Sequence, residues 1–337
     1  MLDNILKGFS LHRTELMGLS IIGVLIAHII NIGDYYPCLI VNTLLFISVS
    51  LFTRCFLLLS GLGLYMSYSN SRNLKDFYSK RVNRLLIPYI LMSLPFFLCM
   101  DILYNNNILD FILHISTFSF WISGNFFGMW YIAITLALYL LYPIFHNFLF
   151  SKKKYTFCRL CIIVFIIIIV RGIMLFFCAD YYSKISIGYE KLSFFFVGMY
   201  IMFLIDNGIC LKWYKVLSIV FITIVLNILT KNIPFIIPEY TLFKILFNIV
   251  IAILIVSFMS KFSIFKLIID VIKWFGIYSL ELYILHMLLF YIFDIYLFVH
   301  VSSRYLIIIS VIIAIIIAKP VNLFTNYVVN TIVKKRD

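Results

Sequence analysis

The feature that most restricts this chain is a succession of apolar runs, each near bilayer-crossing length, separated by short polar breaks. They fall at about 16–33, 43–67, 85–104, 126–149, 156–178, 190–205, 213–230, 241–259, 274–298 and 305–325. A spanning helix takes about 20 apolar residues, each rising about 1.5 Å. The pattern therefore predicts an all-α, polytopic transmembrane helix bundle of about ten spans. The sixth run is short, and the last continues through Lys319-Pro320. Short connections leave no room for an extramembrane domain, so residues 1–337 read as one integral membrane domain. Composition agrees: 64% of the 337 residues are hydrophobic and 12% charged, where soluble domains run near ~45–50% and ~25%. A disordered chain and a secreted disulfide scaffold are excluded.

A net charge of +13 would point to nucleic acid in a soluble protein. Here the charges sort with the spans. Counting connections alternately from an inside N-terminus, 20 of the 27 Lys and Arg lie on the side of both termini and five on the other. The positive-inside rule reads that bias as both termini cytoplasmic, so nucleic acid is not an expected partner. The cysteines lie mostly in apolar runs and read as core packing. Cys158 and Cys161 form a CxxC, but no second pair or neighbouring His completes a zinc site, and no metal is expected. Aromatic residues near span ends (Tyr35, Tyr36, Trp121, Trp130, Tyr131, Trp213, Trp274) predict interfacial belts.

Ionisable groups inside spans cost several kcal/mol by insertion scales, which makes each a functional candidate. These are His28, Arg54, Arg171, Glu281 and His286. Counted from their span ends at about 1.5 Å per residue, His28, Arg54 and His286 reach a similar depth near mid-bilayer. Ser279, Tyr283 and His286 share one helical stripe, with Glu281 on another face. Arg171 is close enough to a span end to snorkel. The bland alternative for each lone group is a satisfied interhelical hydrogen bond. A second cluster, Lys80, Arg81 and Arg84, opens the third span with converging heads suited to phosphate. Its bland alternative is topology determination.

Several segments carry a family resemblance. The first span reads Arg13-Thr-Glu15-Leu-Met-Gly18 and then His28; the second ends Phe56-Leu-Leu-Leu-Ser60-Gly61. Next come Arg81-Val-Asn-Arg84-Leu-Leu-Ile-Pro88, Trp130-Tyr131-Ile132, and Ser279-Leu-Glu281-Leu-Tyr283-Ile-Leu-His286. Together, over about residues 11–320, they resemble the acyltransferase-3 family of integral membrane acyltransferases. The resemblance implies transfer of an acetyl or related acyl group from acyl-coenzyme A, a co-substrate rather than a bound cofactor, to a hydroxyl of a surface carbohydrate. It also implies a bacterial cytoplasmic membrane location.

Residue by residue, His28 matches the family's essential base, and Arg81 and Arg84 its basic pair. With Lys80 they would hold the coenzyme phosphates. Neutral imidazole can take a proton from a sugar hydroxyl as it attacks a thioester. Glu15, Arg54 and Ser60 join His28 as catalytic candidates, Arg54 and Ser60 for the oxyanion. Arg13, Ser279, Tyr283, Glu281 and His286 are expected to line the same cavity. Two departures stand out: Met17 occupies a position often basic in the family, and Arg54 one often acidic. A glycan transporter or flippase, or a membrane polysaccharide polymerase, are the rival readings.

Overall fold

In the computed structural model the described residues are 5–33, 53–70, 73–124, 126–210, 253–254, 256–259, 261–297 and 301–334, together with Cys38 and Val41. Among them the backbone is helical, with no strand. The elements are α1 (Ile5–Leu11), α2 (Arg13–Ile32), α3 (Thr53–Asn70), α4 (Leu74–Tyr104), α5 (Ile108–Ile115), α6 (Phe118–Ser123), α7 (Trp130–Phe150) and α8 (Thr156–Phe177). Then follow α9 (Ala179–Tyr189), α10 (Leu192–Asp206), α11 (Lys266–Ile277), α12 (Ser279–Leu297) and α13 (Ser303–Lys334).

Among the described residues, seven helical stretches are long and apolar enough to cross a membrane: Arg13–Ile32, Leu74–Tyr104, Trp130–Phe150, Lys153–Phe177, Ala179–Asp206, Ser279–Tyr296 and Ser303–Val333. The protein is therefore a multi-pass, all-helical membrane protein. The expected span at 213–230, most of that at 241–259 and the first part of 43–67 lie outside the described residues.

Elsewhere the boundaries moved for local reasons. The run at 274–298 is two helices, with a break at Tyr278 where α11 ends and α12 begins. The expected external loop at 104–126 holds α5 and α6; Asn107 caps α5 by accepting from the Leu109 and Asp110 amides. α4 starts with Asn73 accepting from the Lys75 amide, and widens into π-helical turns at Val82–Leu86 and Leu98–Tyr104. Pro88 and Pro95, which lack an N–H, lie beside these turns, where a continuous i→i−4 ladder is interrupted.

Small residues bring the helices together. α10 packs along α3, and α11 along α2. A Cβ at Gly61 would strike the Phe195 carbonyl, and one at Gly198 the Leu58 carbonyl. Gly18 and Gly276 are closed in the same way by the Ile272 and Thr14 carbonyls. Such backbone contact is how helices gain packing energy where lipid is as apolar as their side chains. By contrast α8 lies at the periphery, with Phe165, Ile166 and Phe176 exposed. Cys158 and Cys161 are exposed on it, so the expectation of core packing for them fails; Cys55 alone among the seven is buried. An outward Cys in a lipid-facing helix needs no partner, since it is apolar enough for that surface.

Candidate active site

α2 and α3 run antiparallel, so the start of α2 meets the end of α3: the Arg13 guanidinium lies against Gly63, leaving no room for a Cβ there. The first turns of α4 bring Arg81 and Arg84 to the same place. A cavity of about 310 Å³ forms between them, and Arg13, Arg81, Arg84, Tyr139, Glu281 and Asn322 are among its lining residues. It shares Arg13, Arg81, Arg84 and Asn326 with a wider vestibule of about 680 Å³, where Lys80 sits.

Positive charge predominates in this cavity, with Glu281 the one carboxylate among its lining residues. Arg13 is within repulsive range of Arg84 and Arg81. None of the three is ion-paired with a carboxylate among the described residues. Arg81 is 7% exposed, its guanidinium held over the rings of Phe77 and Tyr139 at 5.0 and 5.7 Å. Stacking fixes the fork without neutralising it, and its Nε and one terminal nitrogen have no hydrogen-bond partner among the described residues. Three converging cations against one lining carboxylate, Glu281, make a site that favours an anion. The opposite wall is a polar ladder: Asn326 donates to Asn322 Oδ1 at 2.9 Å, and Asn322 donates to Glu281 Oε1 at 2.7 Å.

Three hydroxyl-bearing side chains, Ser60, Tyr131 and Tyr283, also line the cavity. Ser60 Oγ lies 2.8 Å from Tyr131 Oη. Tyr283 donates to the Gly128 carbonyl at 2.8 Å and accepts from the Tyr131 amide at 3.2 Å. Gly128, at φ +71°, makes the turn that presents this carbonyl just before α7 begins. Beyond Tyr283, and outside the residues that line the cavity, the His28 and His286 rings face each other with centroids 5.2 Å apart.

A family profile described as an acyltransferase domain matches residues 16–320. The chain belongs to the acyltransferase-3 family. It is a membrane acyltransferase by that membership. No curated protein and no solved structure matches it.

For an acyltransferase-3 protein, the residues predicted from sequence separate into groups. Arg13, Ser60, Arg81, Arg84, Ser279, Glu281 and Tyr283 line the one cavity, with Lys80 at its vestibule. Arg13 and Met17, one turn apart on α2, both line it. His28 and His286 are brought together, but past the cavity's end.

Two candidates go elsewhere. Glu15 is buried between His12, at 3.5 Å, and Lys273, at 3.8 Å, and so ties α2 to α11. Arg54 lies in electrostatic range of Glu190 and Lys191, and is not among the cavity residues. Depth alone placed it with His28; its face on α3 points it toward the start of α10. Arg171, expected to play a structural part near its span end, donates to the Tyr182 hydroxyl at 2.9 Å.

Sequence reading missed Tyr131 as a site residue, because an aromatic near a span end reads as a belt anchor. It is buried, and its phenol faces Ser60. The Asp101–His114 pair was also missed: Asp101 Oδ2 and His114 Nδ1 lie 2.8 Å apart, both buried, with Phe97 stacked on the imidazole. The apolar run around Asp101 and the loop-like run around His114 gave no sign of contact.

Proposed function

We propose that this acyltransferase takes an acyl group, acetyl or a close relative, from acyl-coenzyme A at the cytoplasmic face and transfers it to a hydroxyl of a cell-surface carbohydrate or its lipid-linked precursor. In this reading the chain has ten spans, both termini are cytoplasmic, and the protein sits in the cytoplasmic membrane of a bacterium. The observation that carries it is the convergence of Arg13, Arg81 and Arg84, without carboxylate partners among the described residues, on a cavity whose far end holds a hydroxyl pair.

Coenzyme A carries its anionic phosphates at one end and its thioester at the other. The arginines suit the first, and bidentate guanidinium–phosphate contacts orient as well as bind. The pantetheine arm would run along the Asn322–Asn326 wall toward Ser60 and Tyr131. There a hydroxyl hydrogen bond would stabilise the tetrahedral oxyanion. His28, beyond Tyr283, would serve as general base, taking the acceptor's proton as its oxygen attacks the acyl carbon. The carbon–sulfur bond then breaks, and the proton passes to the departing thiolate. No metal takes part in this scheme.

The test is transfer of radiolabel from acetyl-coenzyme A to a carbohydrate fraction in membranes containing the protein. Label should appear in base-labile ester linkage and vanish for His28→Ala at equal protein level. Absence of any ester-linked label from wild-type membranes supplied with their own surface glycans would overturn the reading in favour of a transporter.

A further inference from the structure

His286 is 0% exposed, and its Nδ1 lies 2.6 Å from the Leu282 carbonyl, with the Tyr283 backbone carbonyl also in range of the ring. A carbonyl can only accept, so Nδ1 carries the hydrogen. In a neutral imidazole with Nδ1 protonated, Nε2 is a lone pair and nothing else. That Nε2 is buried and has no partner among the described residues. An unsatisfied buried acceptor costs about 1–3 kcal/mol and calls for a reason.

The ring set against it is His28, with centroids 5.2 Å apart and planes inclined at 57°, in ring contact but not hydrogen-bonded to Nε2 in this structure. Tyr283, whose ring centroid lies 6.3 Å from that of His286, turns its backbone carbonyl toward the imidazole and spends its hydroxyl on the Gly128 carbonyl. We propose that His286 is a positioning residue for His28: on a turn of the two facing rings its free Nε2 accepts the N–H of one His28 nitrogen and so holds the other nitrogen as the lone pair that receives the acceptor's proton. This rests on the acyl-transfer reading above. Helix α12 does for His28 what a carboxylate does for the base of a catalytic triad: it selects a tautomer and an orientation. A neutral acceptor achieves this without burying an anion mid-membrane. His286 ends the cycle unchanged; the proton that His28 takes from the hydroxyl leaves with the thiolate.

Three variants separate positioning from packing. His286→Phe keeps the ring volume and loses Nε2; it should lower kcat for acyl transfer about ten- to a hundredfold with KM for acetyl-coenzyme A unchanged. His286→Gln can set its amide oxygen where Nε2 stands and should recover most of the loss, whereas His286→Asn, too short to do so, should behave like the Phe variant. A wild-type kcat in His286→Phe would overturn the proposal. Equal loss in all three, with a matching fall in thermal midpoint, would overturn it too. A second measurement does not depend on activity: ¹⁵N-histidine NMR of the purified protein, whose six histidines allow His28 to be assigned by its loss in His28→Ala. His28 should show one tautomer in the wild type and in His286→Gln, and a mixture in His286→Phe. A mixture already in the wild type would overturn the pairing. If wild-type membranes transfer no acyl group, the acyl-transfer reading fails, while the tautomer result still decides whether His286 orients His28.

Discussion

Ser60 Oγ and Tyr131 Oη lie 2.8 Å apart in the cavity, although 71 positions separate them in the chain. One hydroxyl comes from the end of a Ser-Gly motif on α3, the other from the first turn of α7. The Tyr131 ring is held by Phe56 at 5.4 Å and by Tyr283 at 5.6 Å, so the phenol is fixed before any ligand arrives. Preorganised donors of this kind stabilise a developing oxyanion at little reorganisation cost.

Tyr131→Phe removes the phenol and leaves the ring packing. It should reduce kcat about a hundredfold, while thermal unfolding in detergent shifts by no more than the loss of one hydrogen bond, about 1 kcal/mol. Ser60→Ala should fall in the same direction. If both variants, measured for acyl transfer at equal protein level, keep wild-type kcat, the oxyanion role passes to another group.

The arginines should act on binding rather than on the chemical step. Arg81→Ala or Arg84→Ala removes a charge-assisted contact to phosphate, about 1.5–3 kcal/mol, and should weaken coenzyme A binding about ten- to a hundredfold. Calorimetry with the purified protein measures this directly. Arg13→Ala should do the same, since its guanidinium faces the same cavity. Raising the salt concentration should weaken binding to the wild type more than to any of the three variants.

Gly63→Val tests the positioning of Arg13. The added Cβ would press on the Arg13 guanidinium, displacing it from the cavity, so KM for acyl-coenzyme A should rise by about as much as in Arg13→Ala. Gly198→Val behaves differently, because its Cβ meets the Leu58 backbone carbonyl, which cannot swing aside. It should destabilise the α3–α10 contact by about 3 kcal/mol, at the upper end of the usual cost of overpacking, read as a lower thermal midpoint or lost protein in the membrane.

The buried Asp101–His114 pair fastens α4 to α5, helped by the Tyr89 hydroxyl donating to the His114 carbonyl at 2.7 Å. Removing one partner leaves the other buried alone. His114→Leu should therefore cost about 3–5 kcal/mol, and the double variant Asp101→Leu/His114→Leu less than His114→Leu by itself. Thermal unfolding of the two proteins decides it.

How much of this was legible can be judged from particular residues. Arg81 and Arg84 were readable because i, i+3 spacing at a helix start puts both heads on one side whatever the rest of the protein does. Ser279 and Tyr283 were readable for the same reason. Arg54 was misread because depth is a one-dimensional quantity. Two residues at one depth can lie on opposite sides of a bundle, and only the packing of α3 on α10 shows that Arg54 faces Glu190 and Lys191. Gly61 looked like part of a chemical signature; in the structure its missing side chain is what lets α10 touch α3.

The sequence by itself determined that the chain is a helical, multi-pass membrane protein, because in lipid every backbone polar group must be bonded within its own segment. Local spacing also determined which residues share a helix face. Only the tertiary structure decided which faces meet: that Ser60 meets Tyr131, that His28 meets His286, and that Glu15 is taken by Lys273. The reason is physical. Hydrophobicity sets the depth of a helix but is nearly indifferent to its neighbours, so partner choice rests on close backbone approach at glycines and on a few buried polar contacts.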